Sequence, residues 1–301
     1  MTSVPRLSII TVTRNLIDGG RQESFLSAMD CVQMQTTREI EHVVLDGASD
    51  DGTQGLIESV ISALGDPASG VPVTYRSEQD SGLYDAMNKA VGLAQGDFVL
   101  FLNSDDGLAS NHVATQLVDA MGRGRPDFIY GATMQLLPDG STKTHARTNL
   151  RAFLQRMPFS HNSVALRRDM FLALGGHDLK YRVASDYDLM VRMLMAGHLG
   201  SKLNEPISLY ASRGVSGDSM AVAQDYARIW CDHYAKVLGR PISEDEALDW
   251  YRRGQLPARL CLTLMQSPEQ SALVRSAARH SLGITLRRRL QPWRSWDNIG
   301  Q

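Results

Sequence analysis

Cysteine is scarce: the 301 residues hold three, Cys31, Cys231 and Cys261, far apart and with no Cys-x-x-Cys pair. This excludes a disulfide framework and a zinc knuckle, and reads as reduced, mostly buried thiols in a cytosolic protein. Long apolar runs are also lacking. Leu7–Val12 and Phe98–Leu102 are strand-sized, well short of the ~18 residues a membrane-spanning helix needs. Arg14, Asn15 and Asp18 follow the first run with no small-residue cleavage site, so no signal peptide is expected. Neither Gly-x-Gly-x-x-Gly nor Gly-x4-Gly-Lys-Ser/Thr occurs, which removes the main support for dinucleotide dehydrogenases and P-loop enzymes. Internal repeats and low-complexity segments are absent.

What remains is ordinary globular composition, 43% hydrophobic and 21% charged, in a chain long enough for one large domain or a domain with an appendage. The net charge of −2 conceals an asymmetry. Residues 1–250 carry 22 basic and 31 acidic side chains, whereas residues 251–301 carry 9 basic and 2 acidic. An acidic body argues against nucleic acid as a partner, and the basic tail suits an anionic surface.

From residue 7 to residue 130, solid apolar runs alternate with amphipathic segments. Strands are expected at Leu7–Val12, Ile40–Leu45, Val71–Tyr75, Phe98–Leu102 and Phe128–Tyr130. Helices are expected at Ser24–Met34, Gly55–Leu64, Leu83–Ala94 and His112–Met121. Apolar strands separated by helices predict a doubly wound α/β fold, its parallel sheet covered on both faces. Beyond Tyr130 the pattern predicts a hairpin around Pro138-Asp139-Gly140, a strand at Ser163–Arg167, a helix at Asp186–Ala196 and a strand near Pro206–Ala211. Gly214–Met220 reads as a loop, and everything from Ala221 onward reads as helical. The expected division is therefore residues 1–220 and a helical region, 221–301.

In an open parallel sheet the ligand crevice lies beyond the carboxyl ends of the strands. Three consecutive strand ends here deliver carboxylates: Asp46 to Asp51, Glu78 and Asp80, then Asp105 and Asp106. Such crowding is costly unless a cation or a proton relieves it. The Asp105-Asp106 pair is suited to Mg²⁺ or Mn²⁺, which prefer hard oxygen ligands and accept phosphate in the remaining positions. The plainer alternative is a turn or a cap on the next helix.

Four segments together resemble the family 2 glycosyltransferases with a GT-A fold. They are Ser8 to Asn15, Asp46-Gly47-Ala48-Ser49-Asp50-Asp51-Gly52-Thr53, Asp80-Ser81-Gly82-Leu83-Tyr84-Asp85-Ala86-Met87-Asn88-Lys89, and Phe101-Leu102-Asn103-Ser104-Asp105-Asp106. The resemblance covers roughly residues 6–215 and is nearest to bacterial exopolysaccharide transferases of the colanic-acid type. It implies inverting transfer of a sugar from a UDP- or GDP-type donor with Mn²⁺ or Mg²⁺. Thr11, Val12, Thr13 and Asp46 would border the base and ribose, and Asp80, Asp85 and Lys89 would line the same cleft. Asp105 would meet the diphosphate, and with Asp106 the metal. Two departures are visible: Gly47 where many members have a second Asp, and Asn103 where many have the first Asp of Asp-x-Asp.

Inversion needs a base for the acceptor hydroxyl. Asp186 resembles that base, with Ser185 as the expected N-cap of its helix and Asp188 in reserve; the plainer role is a first-turn acid complementing the helix dipole. His161 matches a position that often holds His and would contact phosphate or acceptor, or else is structural. Arg213, in a loop resembling one that covers the site, would contact phosphate, or else belongs to an ordinary solvated loop. Gln-x-x-Arg-Trp and membrane spans, marks of processive members, are absent, so a single addition is expected. The acceptor implied is a surface polysaccharide or a glycolipid. The helices carrying Arg275, Arg279, Arg287, Arg288 and Arg289, with Trp293 and Trp296, suit an anionic inner membrane, a partner helix or plain solvent exposure. A second copy of the chain is a further partner the sequence admits. Two competing readings are a non-catalytic nucleotide-sugar scaffold and a sugar-phosphate nucleotidyltransferase. The latter lacks a Gly-rich, basic triphosphate loop after the first strand.

Overall fold

A computed structural model describes residues 5–66, 70–146, 148–211 and 219–290. The first half alternates as its periodicity requires: β1 (Leu7–Thr13), α1 (Gln22–Gln33), β2 (Ile40–Asp46), α2 (Thr53–Ala63), β3 (Val73–Ser77), α3 (Leu83–Leu93) and β4 (Phe98–Phe101). Next come β5 (Asp106–Leu108), α4 (Val113–Met121), β6 (Phe128–Tyr130), β7 (Thr133–Leu136) and β8 (Thr142–His145). The chain continues through β9 (Val164–Arg167), α5 (Arg168–Ala173), α6 (Ser185–Met195), β10 (Gly200–Lys202) and β11 (Ser208–Ala211). It ends in α7 (Ser219–Leu238), α8 (Glu244–Arg253), α9 (Ala258–Gln266) and α10 (Ala272–Leu290).

Two compact units emerge, each drawn from separate stretches of chain. The first comprises Met1–Thr148, Phe159–His177 and Leu199–Gly214; the second comprises Asn149–Pro158, Asp178–His198 and Val215–Gln301. In the first, a seven-stranded sheet runs β10-β6-β9-β4-β1-β2-β3. It is mostly parallel, but β9 runs antiparallel to both of its neighbours, β4 and β6. A second sheet, β5-β11-β7-β8, contains the expected hairpin, with β7 and β8 antiparallel. Asp106 thus opens a short strand that comes before the predicted helix.

All seven residues of β1 and all seven of β2 are buried, because helices cover both faces of the sheet. On one face Leu7, Ile9, Leu100 and Ile129 pack with Val113 and Leu117 of α4. Further along the same face, Val44 packs with Phe25 and Met29 of α1 and Ile57 of α2. Each such side chain contributes about 1.5–3 kcal/mol by leaving water.

Inside this apolar sheet, β2 carries a fully buried His42 whose Nε2 lies 3.0 Å from Thr11 Oγ1. Burial pushes the imidazole down to about 4. Unfolded, it titrates near 6.5, so between these values the folded state binds fewer protons and stability rises with pH. Linkage across that window implies a loss of about 2 kcal/mol as pH falls from 7 to 5. Urea unfolding at both pH values should show this loss in the natural chain and little of it in His42→Gln. An equal pH dependence in both would refute the assignment.

The second unit is helical, with an aromatic centre. Tyr187 and Tyr226 stack with centroids 4.1 Å apart. Tyr187 Oη donates to Phe153 O at 2.9 Å and accepts from Trp230 Nε1 at 3.0 Å. In α10 the small residues Val274, Ala277, Ala278, Ser281 and Thr285 are buried, whereas Leu286, Arg279 and Arg287 are exposed. Trp293 and Trp296 lie outside the described residues. Among those described, no helix is long and apolar enough to cross a membrane.

Candidate active site

The carboxyl ends of β1 and β2 are tied together by the polar residues of the loop that follows β2. Asp46 is fully buried; its Oδ1 accepts from Ser49 Oγ at 2.5 Å, and its Oδ2 accepts from Ser49 N and Ser77 Oγ, each at 2.8 Å. Ser49 Oγ in turn accepts from Asn15 N, and Thr53 Oγ1 from Leu16 N, both at 2.8 Å. Asp46, Ser49 and Thr53 therefore set the conformation of two adjacent loops. Thr11 is buried against His42; Val12 and Thr13 are also buried, and Thr13 Oγ1 carries no hydrogen bond among the described residues.

Asp80 approaches the same loops from the end of β3. Its side chain is 5% exposed, Oδ1 accepts from Gly82 N at 2.9 Å, and Arg14 Nη1 stands 3.8 Å away. A Cβ at residue 47 would collide with Asp80 Oδ2. The glycine that departs from the family pattern thus makes room for the Asp80 carboxylate. Asp85 accepts from Ser81 N at 2.9 Å and pairs with Lys89 at 3.2 Å. The Ser81 backbone N–H, with help from Lys89, holds its carboxyl below the usual range despite partial burial. Lys89 also donates to Gln79 O at 2.7 Å, so this pair shapes the loop after β3. Asn88 grips the His177 backbone at both N and O, at 2.8 Å each.

The Asp105-Asp106 pair follows β4. Asp106 Oδ2 accepts from Asn162 Nδ2 at 2.7 Å and from Asn103 Nδ2 at 3.0 Å. Burial, and then the neighbouring Asp105 charge, raise the Asp106 carboxyl; the two amides and His161 pull it back only in part. Asn103 explains the second departure: its amide donates where an aspartate would add a third negative charge. His161 Nε2 lies 3.4 Å from Asn103 Oδ1, which brings it into the same cluster. Two adjacent carboxylates, one of them desolvated and crowded, are a hard-oxygen donor set that fits Mg²⁺ or Mn²⁺.

The sequence singles out His161, and to the same cluster the structure adds its neighbour, Asn162. It is buried, and its Oδ1 accepts from Ser160 Oγ at 2.5 Å and Ser208 Oγ at 3.1 Å. Ser208, Ser163 and Thr133 continue the buried chain at 2.5 and 2.7 Å, linking the two sheets beneath Asp106. The available signal was a polar run, Phe159-Ser160-His161-Asn162-Ser163, placed directly before an apolar strand. Asn162→Leu leaves Asp106 short of a donor in a desolvated place, at a cost of about 1–3 kcal/mol. Because Asn162 supports a candidate metal ligand, its loss should also weaken Mn²⁺ binding about tenfold. A melting curve and a Mn²⁺ titration check both figures, and unchanged values in both would refute the role.

Asp186 lies in the second unit, at the start of α6. It is half-buried, and its Oδ1 accepts from Tyr187 N at 2.8 Å. Ser185 is not the N-cap: its hydroxyl donates to Asp178 O at 2.9 Å, and Ala184 precedes the helix without a side-chain cap. Buried Asp225 of α7 takes over, accepting from Val183 N at 2.7 Å and Ala184 N at 3.1 Å. Asp188 is spent structurally, with Arg192 at 2.8 Å and His233 at 2.7 Å. Burial alone would raise its carboxyl, but His233 and Arg192 outweigh that and hold it low. Arg213 lies outside the described residues.

The arrangement can be set beside known proteins. The family model described as Glycosyl transferase family 2 matches residues 8–178. A PGL/p-HBAD biosynthesis glycosyltransferase of Mycobacterium bovis is 29% identical over 191 residues, covering 63% of this chain and 70% of that protein. An uncharacterized glycosyltransferase of Mycobacterium tuberculosis is 31% identical over 196 residues, covering 64% and 70%. Among solved structures, a mannosyltransferase from Pyrobaculum calidifontis in complex with GDP-Man and Mn²⁺ superposes with a TM-score of 0.60. It is 19% identical, covering 99% of this chain and 85% of that one. S. aureus TarS 1–349 in complex with UDP-GlcNAc gives a TM-score of 0.58 at 14% identity, covering 96% and 93%. At these identities the two structures establish the fold, a GT-A-like α/β architecture.

Proposed function

The chain belongs to glycosyl transferase family 2. From that premise we propose an inverting, metal-assisted hexosyltransferase that takes its sugar from a UDP- or GDP-type donor and adds it to a surface polysaccharide or glycolipid. The observation that carries this reading is that Asp46, Asp80 and the Asp105-Asp106 pair all follow the carboxyl ends of strands in one parallel block, β4-β1-β2-β3, where Asp46 holds the adjoining loops in place. Asp80 and Arg14 face the nucleoside, and His161 faces the phosphates. Asp105 and Asp106 would hold the divalent cation, which when bound would neutralise the diphosphate leaving group. Among the described residues no third His, Cys, Asp or Glu joins them; a Mg²⁺ or Mn²⁺ bound there would have positions open to phosphate oxygens and water.

Asp186 accepts the proton of the acceptor hydroxyl as that oxygen bonds to the anomeric carbon. The bond from that carbon to the phosphate oxygen breaks, and the nucleoside diphosphate departs with the electron pair. The assignment of Asp186 rests on its place in the chain. The basic C-terminal helices bring the enzyme to an anionic membrane; unchanged membrane fractionation after deletion of residues 270–301 would count against that. A thermal-shift panel of UDP, GDP and CMP, each with and without Mn²⁺, tests the core of the proposal. Metal-dependent stabilisation by one diphosphate is expected. A folded protein that binds none of them would overturn the donor assignment.

A further inference from the structure

The far pole of the large sheet, where its parallel strands begin, has a chemistry opposite to that of the acidic end. A cavity of about 480 Å³ opens there, lined by Arg6, Gly96, Asp97, Arg125, Arg167 and Arg168 among others. The topology explains the gathering. Arg6 precedes β1, Asp97 precedes β4, Arg125 lies just before β6, and Arg167 and Arg168 stand where antiparallel β9 ends. These four strands are adjacent, in the order β6-β9-β4-β1, so four loops meet at one point. Backbone bonds draw the loops together, from Phe98 N to Arg6 O at 3.0 Å and from Arg168 N to Asp97 O at 2.8 Å.

The charges do not cancel. Arg167 is engaged by Asp127 at 2.8 Å and Asp169 at 2.6 Å. Behind the wall, Glu41 is also committed, its Oε1 accepting from Ser8 Oγ at 2.6 Å and from Gln95 N at 2.5 Å. Arg6, Arg125 and Arg168 pair with no carboxylate among the described residues, although Arg168 Nε donates to Val91 O at 3.4 Å; four arginines thus share the lining with two carboxylates, Asp97 and the Arg167-bound Asp169. Arg125 also adopts φ +48, a left-handed conformation unfavourable for a residue with a Cβ. An unpaired arginine held in a disfavoured backbone geometry at the rim of a cationic cavity calls for an anionic occupant.

We propose that this cavity is a second binding site, for a phosphate-bearing ligand, at the pole opposite the candidate active site. Guanidinium forks match phosphoryl oxygens two at a time, and the volume accommodates a diphosphate or a lipid phosphate headgroup. The site stands on its own residues and does not depend on the donor reading.

Calorimetric titration of the full chain with inorganic tripolyphosphate, in excess EDTA, tests it. Binding should weaken about tenfold or more in Arg6→Gln and in Arg125→Gly, as loss of an arginine–phosphate pair implies, and should be unchanged in Asp105→Asn. Arg125→Gly relaxes the backbone, so its melting temperature should hold or rise, which separates lost binding from lost folding. Sedimentation with phosphatidylglycerol vesicles identifies the source of the phosphate. Vesicle binding abolished by the same variants assigns a lipid headgroup; tripolyphosphate binding without vesicle binding assigns a soluble phosphate. No tripolyphosphate binding, or affinity indifferent to both arginine variants, would overturn the site.

Discussion

Asp186→Asn should lower the turnover number by about 10²–10⁴, the usual worth of a general base, while leaving the donor dissociation constant within about twofold. The substitution keeps shape and polarity, and an amide oxygen still accepts from Tyr187 N, so the start of α6 should survive. The backbone ahead of that helix is held independently by Asp225, so no large loss of stability is expected. Initial rates at saturating donor and acceptor, paired with calorimetry of donor binding, separate the two quantities. If donor binding collapsed while residual turnover stayed unchanged, Asp186 would be a binding residue and the base would lie elsewhere.

The double substitution Asp105→Asn/Asp106→Asn should abolish the Mn²⁺-dependent part of nucleoside diphosphate binding, together with sugar transfer. A thermal shift with and without Mn²⁺ reads the first directly, without relying on turnover. The sign of the stability change is informative. The Asp106 carboxyl is raised by burial and by Asp105 beside it, so in metal-free protein the folded state holds its proton more tightly than the unfolded. Its contribution is therefore greatest at low pH, below the unfolded value, and is lost as pH rises through the folded one. Replacing the pair by neutral amides relieves that penalty, so the metal-free variant should melt no lower than the natural chain at pH 7. A variant that retained the Mn²⁺ response would show that the cation is held by other groups.

Much of the first unit is legible from periodicity alone. The solid runs at β1, β2 and β4 announce buried parallel strands, and Leu83, Met87, Ala90 and Val91 announce the inward stripe of α3. What periodicity cannot convey is direction. Val164–Arg167 is an apolar run like the others, yet it runs antiparallel, because the residues ahead of it bring the chain back along the sheet. Strands of three residues, such as Asp106–Leu108 and Gly200–Lys202, are too short to display a period and contain glycine. At the site, Asp46 shows its identity and its strand end in the sequence, but not that Ser49 and Ser77 already occupy both of its oxygens. Ser185 has the chemistry of an N-cap, yet a buried aspartate forty residues further on does that work. Local rules name the residue types a site needs, and tertiary partners decide which of their atoms remain available.

The placement of β9 bears on how the chain acquires its structure during synthesis. This strand lies between β4 and β6, so a nascent chain that has not yet reached residue 167 has a gap in the middle of its large sheet. Asp106 waits longer still, since its strand pairs with β11, whose last residue is Ala211. Assembly around the acidic pair is therefore late and depends on contacts distant in sequence, which slows folding and prolongs exposure of unpaired strand edges. A fragment that ends before Val164 keeps the β4-β1-β2-β3 half but leaves the inner edge of β4 open. Such an edge invites chaperone capture or aggregation, so truncations that seek a minimal catalytic unit should extend beyond Ala211.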